Sequence, residues 1–227
     1  MLLTIIIGAA VGVAFSPLCR IRHVTITGPT ESVAAEVGAK LDLPTEANTV
    51  FLPLRATSAV ADDCYRVKKL VASRRSLDSI KITVHERQPV AALACDRSYT
   101  LVDDEGICLI RTDTPGELPV FKGLVPNRPE LGEAILPEQL APLLTCLQGA
   151  HEAGIAQGLK FDFSNAHLCI LETRDGVRGK LGTMRDLCRK IVLFGHLLEG
   201  LRSEGKHIEY IDVRIENKPT IREKSRD

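Results

Sequence analysis

Apolar and polar positions alternate in some parts of this chain and follow a helical spacing in others, and each pattern predicts an element. Residues 21–27 alternate, which predicts a strand ended by Gly28 and Pro29. Residues 30–41 place Val33, Val37 and Leu41 at helical spacing, with Thr30 or Ser32 as the N-cap. The rest of this part is predicted as a loop at 48–54, a helix at 56–65 and strands at 67–73 and 77–87.

A second series of elements follows. The spacing of Leu140, Leu143, Leu144 and Leu147 predicts a helix over 137–150. Short strands are predicted at 159–163, 167–172 and 176–181, and a last strand at 208–215. Between them lies a strongly amphipathic helix, with Thr183 as its predicted N-cap and Gly205 as its stop. Its predicted apolar face consists of Met184, Leu187, Ile191, Phe194, Leu198 and Leu201. A coiled-coil seam is the alternative, but the stripe is shorter than three full heptads, so we expect packing on the chain's own sheet.

Residues 1–18 have a different character, because they contain no charge and are mostly aliphatic. A helix of this length spans about 27 Å, enough to cross a thin bilayer. We therefore predict a transmembrane helix over residues 1–18, and expect the protein to contact the membrane through it. A signal peptide and a buried core helix remain alternatives, although a basic start and amphipathicity are both absent. Arg20 and Arg22 follow the segment, which by the positive-inside rule favours a cytoplasmic body.

Charge and composition exclude several functions. Lys plus Arg and Asp plus Glu both number 29, so the net charge is zero and no field attracts nucleic acid. Trp is absent, and with 6 Phe and 3 Tyr the chain has no stacking platform for bases. We expect no nucleic acid and no small-molecule substrate as partners.

The 7 cysteines show neither metal-ligand pairs nor a disulfide framework. Cys108 and Cys169 lie between aliphatic residues in predicted strands, so we expect them to be small buried hydrophobes. An enzyme with a nucleophilic cysteine is a weaker alternative, and it would require a thiol of lowered pKa.

Motifs for catalysis are also incomplete. His85-Glu86 lacks the second histidine of a zinc-protease helix, and residues 179–183 lack the upstream glycine of a phosphate loop. The carboxylates of residues 103–105 fall in a predicted hairpin turn, where they are expected to be solvated turn formers. We therefore predict no catalytic, cofactor-binding or metal-binding residue and no cofactor.

Several motifs together resemble the FtsQ/DivIB family of bacterial cell-division proteins. The strand predicted at 77–87 ends in Glu86-Arg87, and Pro89-Val90-Ala91 follow it. A strand like that at residues 24–28 opens the family's first domain, and Tyr99 to Asp103 with Gly106 matches its hairpin. Residues 117–123 match its leucine-proline turn, although Ser76 stands where the family usually has Pro. The resemblance implies an α+β fold. Its implied parts are a transmembrane helix at 1–18, a POTRA-type β-α-α-β-β domain at 20–87, a β-rich α+β domain at 88–221 and a charged tail at 222–227.

The same resemblance implies a function. Such proteins are divisome scaffolds, not enzymes, and they recruit other membrane division proteins of the FtsB/FtsL kind at the septum. The implied location is the cell membrane, with a single span and most of the chain outside the cytoplasm. The alternative is a POTRA-containing component of envelope protein transport or outer-membrane assembly, which would normally continue into a β-barrel.

Partner-binding residues are implied at the end of the second domain. In the family, a partner adds a strand there, and an edge strand offers unpaired N–H and C=O groups for this. The residues expected to bind the partner are Tyr210, Asp212, Arg214 and Ile215, together with the segment at 219–222. Alternation within residues 209–215 predicts that Ile211 and Val213 belong to the core and that the other side chains face outward.

Overall fold

The structure is a computed structural model and describes residues 12, 15–41, 47–50, 59–125, 127–165 and 167–224. The chain divides into two compact units, Met1–Arg87 and Gln88–Asp227. Both units combine strands and helices, so the predicted α+β class is confirmed.

The first unit contains strands and helices in the predicted order. They are β1 (His23–Thr27), α1 (Glu31–Lys40), α2 (Ala59–Asp62), β2 (Val67–Arg74) and β3 (Ser79–Glu86). The sheet order is β1-β3-β2, with β1 parallel and β2 antiparallel to β3. Alternate residues of β3 form the core with α1, as expected for a strand with one covered face. This core includes Val33, Val37, Ile80, Ile82 and Val84.

The predicted transmembrane helix falls mostly on residues outside the described part of the chain. Of residues 1–18, only Gly12 and residues 15–18 are described, and Pro17–Cys19 form a 3-10 turn. Searching the described residues reveals no helix with the length and apolarity needed to cross a membrane.

The start of α1 differs from the prediction in one respect. Thr30 is the N-cap residue, but its hydroxyl does not cap the helix. It donates instead to Oε2 of Glu86 at 2.7 Å, because the end of β3 reaches the start of α1. Oε1 of Glu86 accepts from Arg66 at 2.9 Å. One nearly buried carboxylate thereby joins α1, β3 and the residue before β2.

In the described part of the second unit, nine strands form one mixed sheet in the order β12-β11-β10-β9-β8-β7-β4-β5-β6. The first five strands are β4 (Ala91–Cys95), β5 (Ser98–Val102), β6 (Cys108–Thr112), β7 (Val120–Lys122) and β8 (Lys160–Asp162). The others are β9 (Cys169–Glu172), β10 (Arg178–Gly182), β11 (Ile208–Asp212) and β12 (Thr220–Glu223). One row of fully buried side chains crosses the centre of this sheet: Leu93, Phe121, Phe161, Leu171 and Ile211.

Two helices cover this row, α3 (Pro137–Glu152) and α4 (Leu187–Ser203). Glycines let the helices approach closely. A Cβ on Gly195 would lie 2.5 Å from the Cβ of Ala153, and one on Gly149 would lie 3.0 Å from the Cβ of Ile191. The predicted helix at 137–150 is thus confirmed and packs on α4, although Leu144 remains 38% exposed.

The apolar face of α4 is confirmed from Leu187 to Leu201, but its predicted beginning is wrong. The helix starts after Asp186, whose φ of +54° is left-handed and interrupts helical geometry. Thr183 is therefore not the N-cap, and Met184 lies outside the helix, 49% exposed. The stop at Gly205 is confirmed, with φ +73° and the two hydrogen bonds of a Schellman motif.

The predicted hairpin turn after β5 is present, but Asp103 is fully buried and not solvated. Its Oδ1 accepts the amides of Glu105 at 3.0 Å and Ile107 at 2.8 Å. This carboxylate therefore has a structural role in the turn.

Candidate partner-binding edge

The predicted partner-binding residues lie at one end of the nine-stranded sheet, but the last strand differs from the prediction. It was expected to run over 208–215 as an edge strand. In the structure β11 ends at Asp212, and β12 pairs with it on its outer side. Tyr210 and Asp212 therefore belong to an internal strand, while Arg214 and Ile215 lie in the turn before β12.

Asp212 is the cause of the early strand end. Its Oδ1 accepts the backbone amide of Arg214 at 3.1 Å, the local bond of an Asx-type turn. A further turn bond joins the Lys218 amide to the Ile215 carbonyl at 3.0 Å. Ile211 and Val213 are nonetheless fully buried, so this part of the alternation is confirmed.

β12 is the actual edge strand. All four of its residues are exposed, and it pairs antiparallel with β11 through Ile221 opposite Ile211 and Thr220 opposite Asp212. Because β12 is last in the sheet order, the described residues contain no strand on its outer side. Such an edge can hydrogen-bond an extended segment of another chain.

The opposite edge of the sheet, β6, is partly covered. The amide of Cys108 donates to the carbonyl of Glu133 at 3.0 Å, and Gly132 donates to the carbonyl of Cys108 at 2.8 Å. Ile107 forms an antiparallel bridge with Ala134. The two edges are therefore unequal, and β12 is the more accessible of the two.

Arg214 is paired within the chain. Its Nη2 lies 2.7 Å from Oδ2 of Asp212, and its Nε lies 3.0 Å from both carboxylate oxygens. Partial burial acts to raise the pKa of Asp212, but the hydrogen bonds and charge of Arg214, with the charge of Lys180, lower that pKa below its usual value. The aliphatic part of the Arg214 side chain lies over Gly182. A Cβ added to Gly182 would lie 3.1 Å from Cγ of Arg214. The Arg214 side chain is still more than half exposed, so it remains accessible to a carboxylate of a partner.

Tyr210 lies on the open face of the sheet, beside β10. Nζ of Lys180 is 3.9 Å from its ring centroid, a cation–π contact. Its neighbour Glu209 pairs with Arg222 at 3.0 Å. These residues, with Ile170 and Arg178, surround a cleft of about 220 Å³ next to the edge strand. The cleft therefore lies on the face of the sheet over β9 to β12, inward from the outer edge of β12.

Ile215 is 65% exposed and borders a groove of about 330 Å³ at the end of the β11–β12 turn. Asp212, Arg214, Lys218 and Thr220 line the same groove. All four predicted residues thus lie beside the edge, although only Arg214 and Ile215 lie in the turn leading to β12. Residues 219–222 were expected to be a tail segment, whereas Thr220–Glu223 form the strand β12. Two features of the sequence could have predicted this strand. A turn lies at 216–219, and the segment Thr220-Ile221-Arg222-Glu223 that follows has one apolar residue between polar ones.

The cysteines have the character predicted for small buried hydrophobes. All 7 are free thiols, and Cys108 in β6 and Cys169 in β9 are buried. Burial raises the pKa of Cys108 to about 11 and that of Cys169 to about 12. Burial also raises the pKa of Cys146 and of the half-buried Cys188. A raised pKa keeps these thiols protonated at neutral pH, the opposite of what a nucleophile requires.

Comparison with models of known protein families gives no match, and comparison with curated proteins also gives none. A solved structure similar to part of this chain is the major extracytoplasmic domain of the cell-division protein DivIB, in its trans isomer, from Geobacillus stearothermophilus. The two are 14% identical, and the match covers 52% of this chain and 97% of that one, with a TM-score of 0.33.

Proposed function

We propose that this protein is a non-enzymatic divisome scaffold with a POTRA-type first unit and a partner-binding β unit. Its membrane anchor is residues 1–18, and its two units lie outside the cytoplasm at the division septum. Its partners are other membrane division proteins of the FtsB/FtsL kind. The FtsQ/DivIB motifs in the sequence support this identity, and the observation that carries the binding mechanism is the accessible outer edge of β12.

The geometry of this edge supports binding by strand addition. The outer N–H and C=O groups of β12 supply backbone hydrogen bonds that do not depend on the partner's sequence. Specificity then comes from side chains next to the edge. Ile221, 38% exposed, offers an apolar contact, and Arg214 offers a charge to a carboxylate.

Septal recruitment can be tested by imaging. A fluorescent protein fused to the N-terminus of the complete reading frame should form a midcell band in dividing cells. A uniform envelope signal, like that of an unrelated single-span membrane protein used as the control, would contradict the scaffold function and favour a transport role.

Orientation requires its own test, because Arg20 and Arg22 favour the opposite topology under the positive-inside rule. Alkaline phosphatase folds into its active form only outside the cytoplasm. A fusion of this enzyme to the C-terminus should be active. Activity of a cytoplasmic reporter alone at the same position would overturn the proposed topology.

A further inference from the structure

One end of the first unit combines exposed apolar side chains with a concentration of arginines. We call this surface the basic tip and define it by Leu18, Arg20, Arg22, Arg74, Arg75 and Leu77, all of which are exposed. We propose that the basic tip docks on the anionic phospholipid surface of the membrane that anchors the chain. The inference rests on the membrane anchoring proposed above and assigns a binding surface to the first unit.

Backbone contacts hold the two segments of the basic tip side by side. The hydroxyl of the buried Thr49 lies within hydrogen-bond distance of the carbonyls of Cys19, at 2.9 Å, and of Leu77. The amide of Arg22 donates to the carbonyl of Asp78 at 2.9 Å. The segment at 18–22 and the turn between β2 and β3 therefore form one continuous surface.

The apolar members of this surface are unusually exposed. Leu18 is 62% exposed and Leu77 is 52% exposed, and Phe15, just before them, is 72% exposed. Large aliphatic and aromatic side chains at the interface between water and lipid bury their surface among headgroups and acyl chains. A turn that presents Leu77 outward beside Leu18 fits such an interface.

The charges of the basic tip favour an anionic surface. Among the described residues, this surface carries the four arginines at 20, 22, 74 and 75 and the carboxylate of Asp78, and these five groups sum to +3. The Asp78 carboxylate accepts hydrogen bonds from the hydroxyls of Ser76 at 2.7 Å and Ser79 at 3.0 Å. Arginines next to a bilayer bind lipid phosphates through paired N–H donors, and their stems lie in the apolar layer.

The position of the basic tip along the chain supplies the third argument. Cys19 and Ile21 are buried in the first unit, at 0% and 7% exposure. Residues 15–18 lie in a turn and a 3-10 helix, so a helical span ends before Phe15 and only these four residues separate it from the folded unit at Cys19. The surface around residues 18–22 must then lie at the level of the lipid headgroups.

The test uses the full chain in lipid nanodiscs. Ser76→Cys places a thiol at the centre of the β2–β3 turn for an environment-sensitive fluorophore, and protein without this cysteine corrects for labelling of Cys188. Discs of phosphatidylcholine alone are compared with discs that also contain phosphatidylglycerol. We expect a larger blue shift of the emission with phosphatidylglycerol than with phosphatidylcholine alone. The additional shift should disappear in high salt and in the variant Arg22→Glu/Arg75→Glu, but persist in Arg128→Glu/Arg185→Glu, which makes the same charge change at exposed positions of the second unit.

Other outcomes separate this inference from the proposed function. If the chain inserts into the discs and phosphatidylglycerol adds no blue shift, the anchor is retained and docking on anionic lipid is overturned. A chain that fails to insert overturns the anchor, and docking is then judged by adding phosphatidylglycerol vesicles to the same labelled protein. A shift that requires an acidic peptide and is absent with both lipids would show that the basic tip binds protein, and would overturn lipid docking.

Discussion

The hydroxyl of Thr30 donates a hydrogen bond to Oε2 of Glu86 at 2.7 Å, although 56 residues separate them in the sequence. The other oxygen of Glu86 pairs with Arg66 at 2.9 Å. Glu86, the first residue of the Glu-Arg-x-Pro motif, therefore links the end of β3 to the start of α1 and to the residue before β2. The motif that resembles the FtsQ/DivIB family therefore begins with a residue that has a direct structural role in this chain.

Replacing Glu86 with Ala should destabilise the first unit. The change removes an acceptor from both Thr30 and Arg66, and we expect a loss of about 1–3 kcal/mol in unfolding free energy. Thr30→Ala removes only one neutral donor and should cost about 1 kcal/mol. Hydrogen exchange of the β3 amides in the full chain measures the loss of stability in each of the two variants. Equal protection in the wild type and in Glu86→Ala would contradict this role.

A methyl group on Gly179 should destabilise the second unit. Its Cβ would lie 2.8 Å and 2.9 Å from two ring atoms of the fully buried Phe194. Overpacking of this kind costs about 1–3 kcal/mol, which urea denaturation would detect. Gly200→Ala is the matched control, because this helical glycine has open space around its Cβ position. It should gain about 0.5–1 kcal/mol. If Gly179→Ala left the free energy of unfolding unchanged, α4 would have to lie further from β10 than the structure shows.

Asp212 should contribute to acid sensitivity. Arg214 and Lys180 lower its pKa in the folded chain against the opposing effect of partial burial. A group with a lowered folded pKa stabilises the protein fully above its unfolded pKa of about 3.9, and this contribution is lost as the pH falls through the folded pKa. Asp212→Asn should therefore lose less unfolding free energy than the wild type between about pH 5 and about pH 2. Identical pH dependence in the two proteins would contradict the pairing.

Much of the fold could be predicted because local patterns determine it. The spacing of Leu187, Ile191, Phe194, Leu198 and Leu201 already defines the buried face of α4. The start of this helix could not be predicted in the same way. Thr183 with Asp186 three residues later matches an N-cap pattern, yet the left-handed backbone of Asp186 moves the start to Leu187. Nothing in the local spacing reports that conformation.

The candidate site was only partly predictable. Alternation of apolar residues continues to Ile215, so it extended the last strand past its real end at Asp212. The side-chain bond from Asp212 to the Arg214 amide, which turns the chain, is one of several conformations an Asp can adopt. The pairing of β11 with β10, which is parallel, depends on contacts distant in sequence. β12 likewise becomes a strand only through its pairing with β11. From the sequence alone its residues were therefore interpreted as a tail.

The second unit should fold without the first. Residues 88–227 contain their own sheet and helices, and Pro89 lacks the amide donor that a continuous strand across the junction would require. Expressed alone, residues 88–227 should give a dispersed amide spectrum by NMR. A molten spectrum would mean that the boundary is wrong.

A double-mutant cycle can separate the two possible roles of Arg214. If it only stabilises the turn through Asp212, then Arg214→Ala should have no effect on partner capture in an Asp212→Ala background. If its exposed guanidinium also meets a carboxylate of the partner, capture should weaken in that background as well. We expect the second result, measured by pull-down of FtsB/FtsL-like proteins. Unchanged capture by Arg214→Ala in both backgrounds would remove Arg214 from the interface.

The most direct test of the central claim is hydrogen exchange of the β12 backbone when the partner is added. The full chain is compared with and without the extracytoplasmic segments of the proposed FtsB/FtsL-like partners, and β6 at the other end of the sheet is the internal control. Strand addition predicts strong protection of the Thr220–Glu223 amides and unchanged exchange in Cys108–Thr112. Exchange in β12 that the partner leaves unchanged, or protection confined to β6, would contradict the proposed binding edge.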